Sequence, residues 1–263
     1  MLIVISPSKG QDFETPGPAK FSQPLLLDHS DELVTELRKY SSKKIGSLMS
    51  ISENLSKLNA DRFKSFSTPF NKSNAKQALF AFTGDVYGSF ELAQYKAKEM
   101  DFSQKHLRIL SGLYGYLRPL DLIQPYRLEM KTKLKNKRGK NLYEFWGDEI
   151  TDLLNKDLKK QSSQTLVNVA SNEYFKSIKK AKLNADVIDI VFRDVKDGKS
   201  RTVALYAKQA RGAMADFLIR NAIDKPEGIK DFNVGGYKFL KKDSTDNSYT
   251  FSRKQPPPVS QRK

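Results

Sequence analysis

Leu110-Ser-Gly-Leu-Tyr-Gly-Tyr-Leu-Arg-Pro-Leu-Asp-Leu-Ile-Gln-Pro-Tyr-Arg-Leu-Glu-Met130 fits neither a helix period nor a strand period. Gly112, Gly115, Pro119 and Pro125 interrupt it too often for a regular element. Its leucines, with Tyr114, Tyr116 and Tyr126, are too apolar for a solvated loop. Arg118, Asp121, Arg127 and Glu129 sit among them. The combination predicts a buried, non-periodic connection with a core of its own, able to hold charged side chains rigidly at the wall of a cleft.

The flanking sequence places this connection in a mixed fold. Upstream, Leu107–Leu110 reads as a strand. Downstream, Lys131 to Lys140 is a basic run, either a strand with one charged face or a mobile loop. Asn141 leads into a long helix with Trp146, Ile150, Leu153, Leu154 and Leu158 at helical spacing. Leu166–Ala170 is a buried strand ending in a strand-to-helix corner at Ser171–Lys176. Val187–Val195 and Arg201–Tyr206 form a hairpin around Asp197-Gly198. A helix from Lys208 to about Ala222 and a hairpin of Tyr237–Leu240 with Tyr249–Phe251 follow.

Towards the N-terminus, Leu2–Ser6 is a buried first strand, and Ser6-Pro7-Ser8-Lys9-Gly10 is a turn without the pattern of a phosphate loop. Ser30 is placed to cap a helix over Asp31–Tyr40. A second helix covers about Lys43–Met49, and a third starts after Ser52 with Leu55, Leu58, Phe63 and Phe66 facing inward. Leu79–Phe82 reads as a buried strand, and a short helix holds Glu91, Leu92 and Tyr95. These elements predict one compact α+β (mixed α/β) domain over residues 1–252: a mixed sheet, surrounding helices and a basic cleft. The basic, proline-rich tail 253–263 is expected to be disordered.

Composition narrows the function. Lys and Arg number 46 against 30 Asp and Glu, a formal charge of +16. Mean hydropathy is −0.58, and no apolar run approaches a membrane span. The short apolar start lacks a signal peptide's form, which predicts a cytoplasmic protein without a membrane partner. There is no cysteine, and His29 and His106 are the only histidines. Disulfides, Cys-ligated zinc and iron–sulfur clusters are excluded, no cofactor or metal ligand is assigned, and any metal would rest on carboxylates and water. The positive charge points to a polyanion, with nucleic acid ahead of other candidates.

Two groups of residues could meet that polyanion. Lys208 and Arg211, placed in the first turn of the predicted helix, would converge on an anion. The helices around Met49-Ser50-Ile51-Ser52 resemble a helix-hairpin-helix DNA-binding element over about 43–65, with Ser50, Ile51, Ser52, Lys57, Arg62 and Lys64 as contacts. Serine there replaces the usual glycines and gives up easy access to positive φ.

The quoted stretch resembles the signature of the YaaA peroxide stress resistance family. Ser6–Lys9, Phe82–Tyr87, Asn141–Asp148, Ala170–Phe175, Lys208–Gly212 and Phe232–Phe239 match its other blocks in order, so the resemblance runs from Met1 to about Phe251. It implies a cytoplasmic protein that protects against hydrogen peroxide by limiting unincorporated iron, with a basic cleft, a helix-hairpin-helix element and DNA binding. It supplies no established reaction.

The leading expectation is a monomer that binds double-stranded or distorted DNA, with Lys9, Arg118, Arg127, Asn172, Lys176, Lys208 and Arg211 lining an anion-binding cleft. Two alternatives stand beside it. One is an enzyme on damaged nucleic acid or a nucleotide, with catalytic candidates Lys9, Glu129, Glu173 and Lys208: a lysine as nucleophile, as in a lyase or glycosylase, and Glu129 or Glu173 as acid or base. The other, weaker, is direct iron binding through carboxylates.

Overall fold

The computed structural model describes residues 1–257. In chain order the strands and α-helices begin with β1 (Leu2–Ile5), α1 (Leu27–Leu37), α2 (Ser42–Met49), α3 (Glu53–Ser65), β2 (Lys76–Gln77), α4 (Ala78–Ala81), α5 (Ala97–His106) and β3 (Leu107–Ser111). They continue with β4 (Gly115–Leu117), β5 (Leu122–Ile123), α6 (Leu142–Trp146), α7 (Glu149–Leu158), β6 (Thr165–Asn168) and α8 (Asn172–Phe175). The last are β7 (Asp186–Lys196), β8 (Lys199–Arg201), α9 (Ala204–Arg220), β9 (Lys238–Phe239) and β10 (Ser248–Lys254).

One sheet organises the molecule, in the order β4-β3-β1-β6-β7-β10-β9, with β8 paired to β7. β3, β1, β6, β7 and β10 run parallel, and β4, β8 and β9 are antiparallel additions. β1 is central: Ile3 pairs with Leu107 on one side and Val167 on the other. All four of its residues are fully buried, and strand side chains alternate between faces, so both faces of the sheet are covered there. β7 differs: Ile188, Ile190, Phe192 and Asp194 are buried while alternate residues are more open. The Asp197-Gly198 turn has positive φ at both residues, as a two-residue hairpin requires.

Several local expectations change. Leu79–Phe82 is not a strand. Its first three residues lie in α4, where Ala78 and Leu79 N–H groups donate to the Asp121 and Pro119 carbonyls at 2.8 and 3.0 Å. A short apolar run is buried in either form, so its period could not decide between them. The long helix after Asn141 is two helices, because the backbone leaves the helical region at Gly147 (φ +49). Ser30 lies inside α1 rather than capping it, with its hydroxyl bonded back to the Leu26 carbonyl at 3.1 Å. α3 buries Ser56, Asn59, Ala60 and Phe63, leaving Leu55 and Leu58 exposed. α5 was not foreseen: it buries only Ser103 and shows no apolar stripe. β10 extends through Arg253 and Lys254, so the tail begins later than expected; Arg253 Nε pairs with the buried Asp194 at 2.8 Å. Residues 258–263 of the expected tail lie outside the described residues.

The Leu110–Met130 stretch is a frame with short elements inside it. β3 turns back into β4, and β5 pairs with β2. Its tyrosine hydroxyls tie the irregular parts together: Tyr114 accepts from Gln124 N at 2.9 Å, and Tyr126 shares a 2.7 Å bond with Ser111 Oγ. Gly112 is where the two arms touch. A Cβ there would lie 2.1 Å from the Leu128 carbonyl oxygen, so only glycine admits the approach.

Candidate anion-binding site

The chain leaves β1 and travels, through many elements, to β3 on one side; it leaves β6 and goes to β7 on the other. β1 and β6 are neighbours, so their onward connections diverge. In open parallel sheets a crevice forms outside the carboxyl ends of two such strands. A cavity of about 330 Å³ lies there, lined by Ser6 to Lys9 after β1 and by Val169, Ser171, Glu173 and Tyr174 after β6.

Each wall is pinned from the sequence outward. Ser171 N donates to Ser6 Oγ at 2.9 Å and the Tyr87 hydroxyl donates to the Ser6 carbonyl at 2.9 Å, joining the two strand ends and the 84–87 loop. The Tyr126–Glu129 wall is the second arm of the frame, with Tyr126 N donating to Gln11 Oε1 at 3.1 Å. α9 closes the cavity with Lys208 and Arg211. Its Gly212 abuts the 84–87 loop: a Cβ there would sit 1.8 Å from the Val86 carbonyl oxygen. That close packing fixes how Lys208 and Arg211 approach Asp85 and Val86, which line the same cavity.

The cations are not equivalent. Lys9 forms an ion pair with Glu129, and Arg127 Nη2 lies 3.6 Å from the same carboxylate. Arg127 Nε is buried with no hydrogen-bond acceptor among the described residues. Lys208 Nζ is 3.9 Å from Asp85, and Lys131 is 3.9 Å from Glu173. Arg211 is partly buried and has no hydrogen bond or ion pair among the described residues. Burial pushes its guanidinium below its ordinary value. Four lining cations face three lining carboxylates, Asp85, Glu129 and Glu173, and Glu173 also has Lys131 beside it, so the cavity carries a net positive charge. Burial, reinforced by Tyr126, Glu173 and Glu129, pushes the Tyr174 phenol well up, so its hydroxyl is protonated at neutral pH.

Of the residues expected at a cleft, the cavity gathers Lys9, Arg127, Glu129, Glu173, Lys208 and Arg211. It does not gather Arg118, whose guanidinium is held by Asp121 at 2.8 Å and the Gln23 carbonyl at 2.9 Å. Asn172 lines a neighbouring cavity, and the Lys176 ammonium lies 5.4 Å from the Tyr143 ring centre. Lys208 and Arg211 are not in a first helical turn, because α9 starts at Ala204. They meet the cavity as an i, i+3 pair on one helix face, and the helix end contributes nothing. Asp85, Ser6, Ser171, Tyr126 and Tyr174 line the site without having been singled out. Ser6 and Ser171 lie within three residues of the ends of two buried strands, which was the available signal.

The α2–α3 pair is a separate region, and none of its six candidate contacts lines the cavity. Ser50 adopts the left-handed conformation (φ 52°), so serine does occupy the position where glycine was thought necessary. Ile51 N–H is used within the pair, donating to Gly46 O at 3.1 Å. Lys57 pairs with Glu53 at 2.6 Å and Lys64 with Asp61 at 3.6 Å. Burial pushes Arg62 below its ordinary value. Among the described residues no three His, Asp or Glu side chains form a group able to hold a metal ion, and no helix is long and apolar enough to cross a membrane.

The family model described as peroxide stress protein YaaA matches residues 1–243. The chain belongs to that family. UPF0246 protein IL2146 of Idiomarina loihiensis is 50% identical over 254 residues, 96% of this chain and 98% of the relative. UPF0246 protein PSHAa2558 of Pseudoalteromonas translucida is 54% identical over 241 residues, 91% and 93% of the two chains. UPF0246 protein VFMJ11_2214 of Aliivibrio fischeri is 49% identical over 256 residues, 97% and 99%. The YaaA match spans the whole cavity: every wall, from Ser6 to Arg211, lies inside it.

Proposed function

We propose that this member of the peroxide stress family is a cytoplasmic monomer that protects DNA by binding it, with the cavity between β1 and β6 gripping a backbone phosphodiester. The observation that carries this reading is Arg211: a partly buried guanidinium without a partner, beside Arg127 with a buried, unbonded Nε. Desolvating a cation without pairing it is unfavourable, and an anionic ligand removes that penalty. A net positive cavity suits an anionic phosphate group. The surplus lysines behind the +16 charge add counterion release, which fixes no sequence. Bound DNA is shielded from iron-driven damage, and any effect on free iron is indirect.

Anisotropy titrations of duplex, bubbled and single-stranded DNA across salt test this. Affinity should fall steeply as salt rises, and Arg211→Met should flatten the slope by about one. A salt-independent affinity, or unchanged binding by the variant, sinks the reading.

A second reading rests on the Lys9–Glu129 contact. Lys9 Nζ touches a mostly buried carboxylate at the cavity wall. A lysine so placed could attack the C1′ aldehyde of an abasic sugar: the C–N bond forms, water leaves, and Glu129 takes the ammonium proton. Borohydride would reduce the resulting imine to a stable protein–DNA adduct. No adduct with abasic DNA removes this reading.

A further inference from the structure

A second cavity, of about 360 Å³, adjoins the first, and Arg211 is the residue common to both linings. The extended chain leaving β6 separates them. Val169 and Ser171 line the first, and Asn168 and Ala170 the second, following the two-residue alternation of extended backbone; α8 then gives Glu173 to the first and Asn172 to the second.

The two linings differ in chemistry. The first holds the four cations. The second is lined by the rings of Phe175 and Phe192, one carboxylate, Asp189, and two cations, Lys180 and the shared Arg211, with Lys180 Nζ 5.0 Å from the Phe175 ring centre. Asp189 Oδ1 accepts from Asn168 Nδ2 at 2.7 Å. Its Oδ2 lies 3.8 Å from Lys180 Nζ, beyond hydrogen-bond length, and has no hydrogen bond among the described residues. An apolar wall with one open acceptor fits a flat heterocycle that presents an N–H group. A cation shared with an anion site places that heterocycle next to a phosphate.

Resting on the DNA-binding reading, we propose that the second cavity receives one unstacked base of the bound strand while Arg211 holds the adjoining phosphate. The base stands out of the helix, against the aromatic wall, and its exocyclic amino group donates to Asp189. Cytosine offers such a group at N4; thymine has a carbonyl there and faces the carboxylate with a second acceptor. The site therefore prefers an extrahelical cytosine to an extrahelical thymine.

The test uses one duplex with a single-nucleotide bulge carrying cytosine, thymine or no base. The cytosine bulge should bind roughly tenfold more tightly than the baseless bulge, the size of one stacking and hydrogen-bonding contact. Thymine should fall between them. Asp189→Asn should abolish the cytosine preference while the baseless bulge binds at least as tightly as to the wild type, which shows that the variant is folded. Equal affinity for all three bulges, or a cytosine preference that survives Asp189→Asn, overturns the base site. If Arg211→Met still weakens binding in that case, the phosphate reading stands alone. If none of the DNAs binds, both fall.

Discussion

Arg118 and Arg127 lie nine residues apart in the same breaker-rich stretch, and the protein treats them in opposite ways. Arg118 is closed off. Asp121, fully buried, accepts from Arg118 N, Nε and Nη2 and from Ser22 Oγ at 2.6 Å. Arg127 is left open, with one long contact to Glu129 and a buried Nε that has no acceptor among the described residues. The same contrast recurs between Arg108 and Arg211. Arg108 is buried against Asp157, at 2.7 Å, and Tyr116, while Arg211 is desolvated alone. Paired arginines hold the frame together. On the proposed function, the unpaired ones mark where a ligand supplies what the protein does not.

The largest effect should come from breaking a closed pair. Asp121→Ala strands the Arg118 donors and Ser22 together. Arg118 retains some access to water, so the loss should be about 3 kcal/mol, the low end for a broken buried pair. A urea titration measures it as a shifted midpoint with unchanged slope. A loss below about 1 kcal/mol would mean that the frame does not depend on this carboxylate.

The converse substitution should separate binding from stability. Arg211→Met removes a charge that no protein group compensates, so stability should hold or rise slightly. DNA affinity should drop about 10- to 100-fold, the value of a charge-assisted contact to a phosphate. Lower stability with unchanged affinity would place Arg211 among the structural arginines and erase the contrast.

Parts of this were readable in the residues. β1, β3 and β6 are short, mostly apolar runs with clear ends, β7 is a long strand that buries alternate residues, and Asp197-Gly198 announces its own turn. Lys9, Glu129 and Glu173 stood out as polar residues in loops or at element ends, whereas Lys208 and Arg211 stood out for a first helical turn that they do not occupy. The sheet order was not readable, since β1 pairs with residues more than a hundred positions away. Nor was the difference between Arg118 and Arg127. Both have an acid two or three residues on, Asp121 and Glu129, and only the fold decides that one carboxylate is shared with Lys9 while the other is bonded fully. α5 escaped because its sequence lacks an apolar stripe.

The Arg108 pair adds a pH signature. Burial pushes the Asp157 carboxyl up, but the Tyr116 hydroxyl and the Arg108 guanidinium outweigh it and hold it at about 2. Because the folded value lies below the unfolded one, the stabilisation is full above about pH 4 and is lost as pH falls toward 2. Allowing for partial solvent access, this is about 1–2 kcal/mol. The stability gap between wild type and Asp157→Asn should therefore narrow across that window in urea titrations. A gap constant from pH 5 to pH 2 would deny the carboxylate its charged role.

The smallest effect is expected at the α2–α3 pair, and it sharpens the contrast by extending it to exposed cations. Lys57 and Lys64 are solvent-facing, and each lies one helical turn from an acid of its own. Such pairs are worth a few tenths of a kcal/mol, so they neither stabilise the helix much nor hold the lysines back strongly. Their attraction for DNA is long-range and screened, with no desolvated charge waiting for a partner. Reversing both to Glu should weaken DNA binding less than fivefold at physiological salt, and more at low salt, where screening is weaker. The Arg211 variant's deficit should also shrink as salt rises, in step with its shallower slope, but stay larger than that of the double reversal at physiological salt. If the double reversal instead matches Arg211→Met at every salt concentration, the helix pair is the principal grip. The left-handed Ser50 corner would then be its contact point, and the cavity between β1 and β6 would need another ligand.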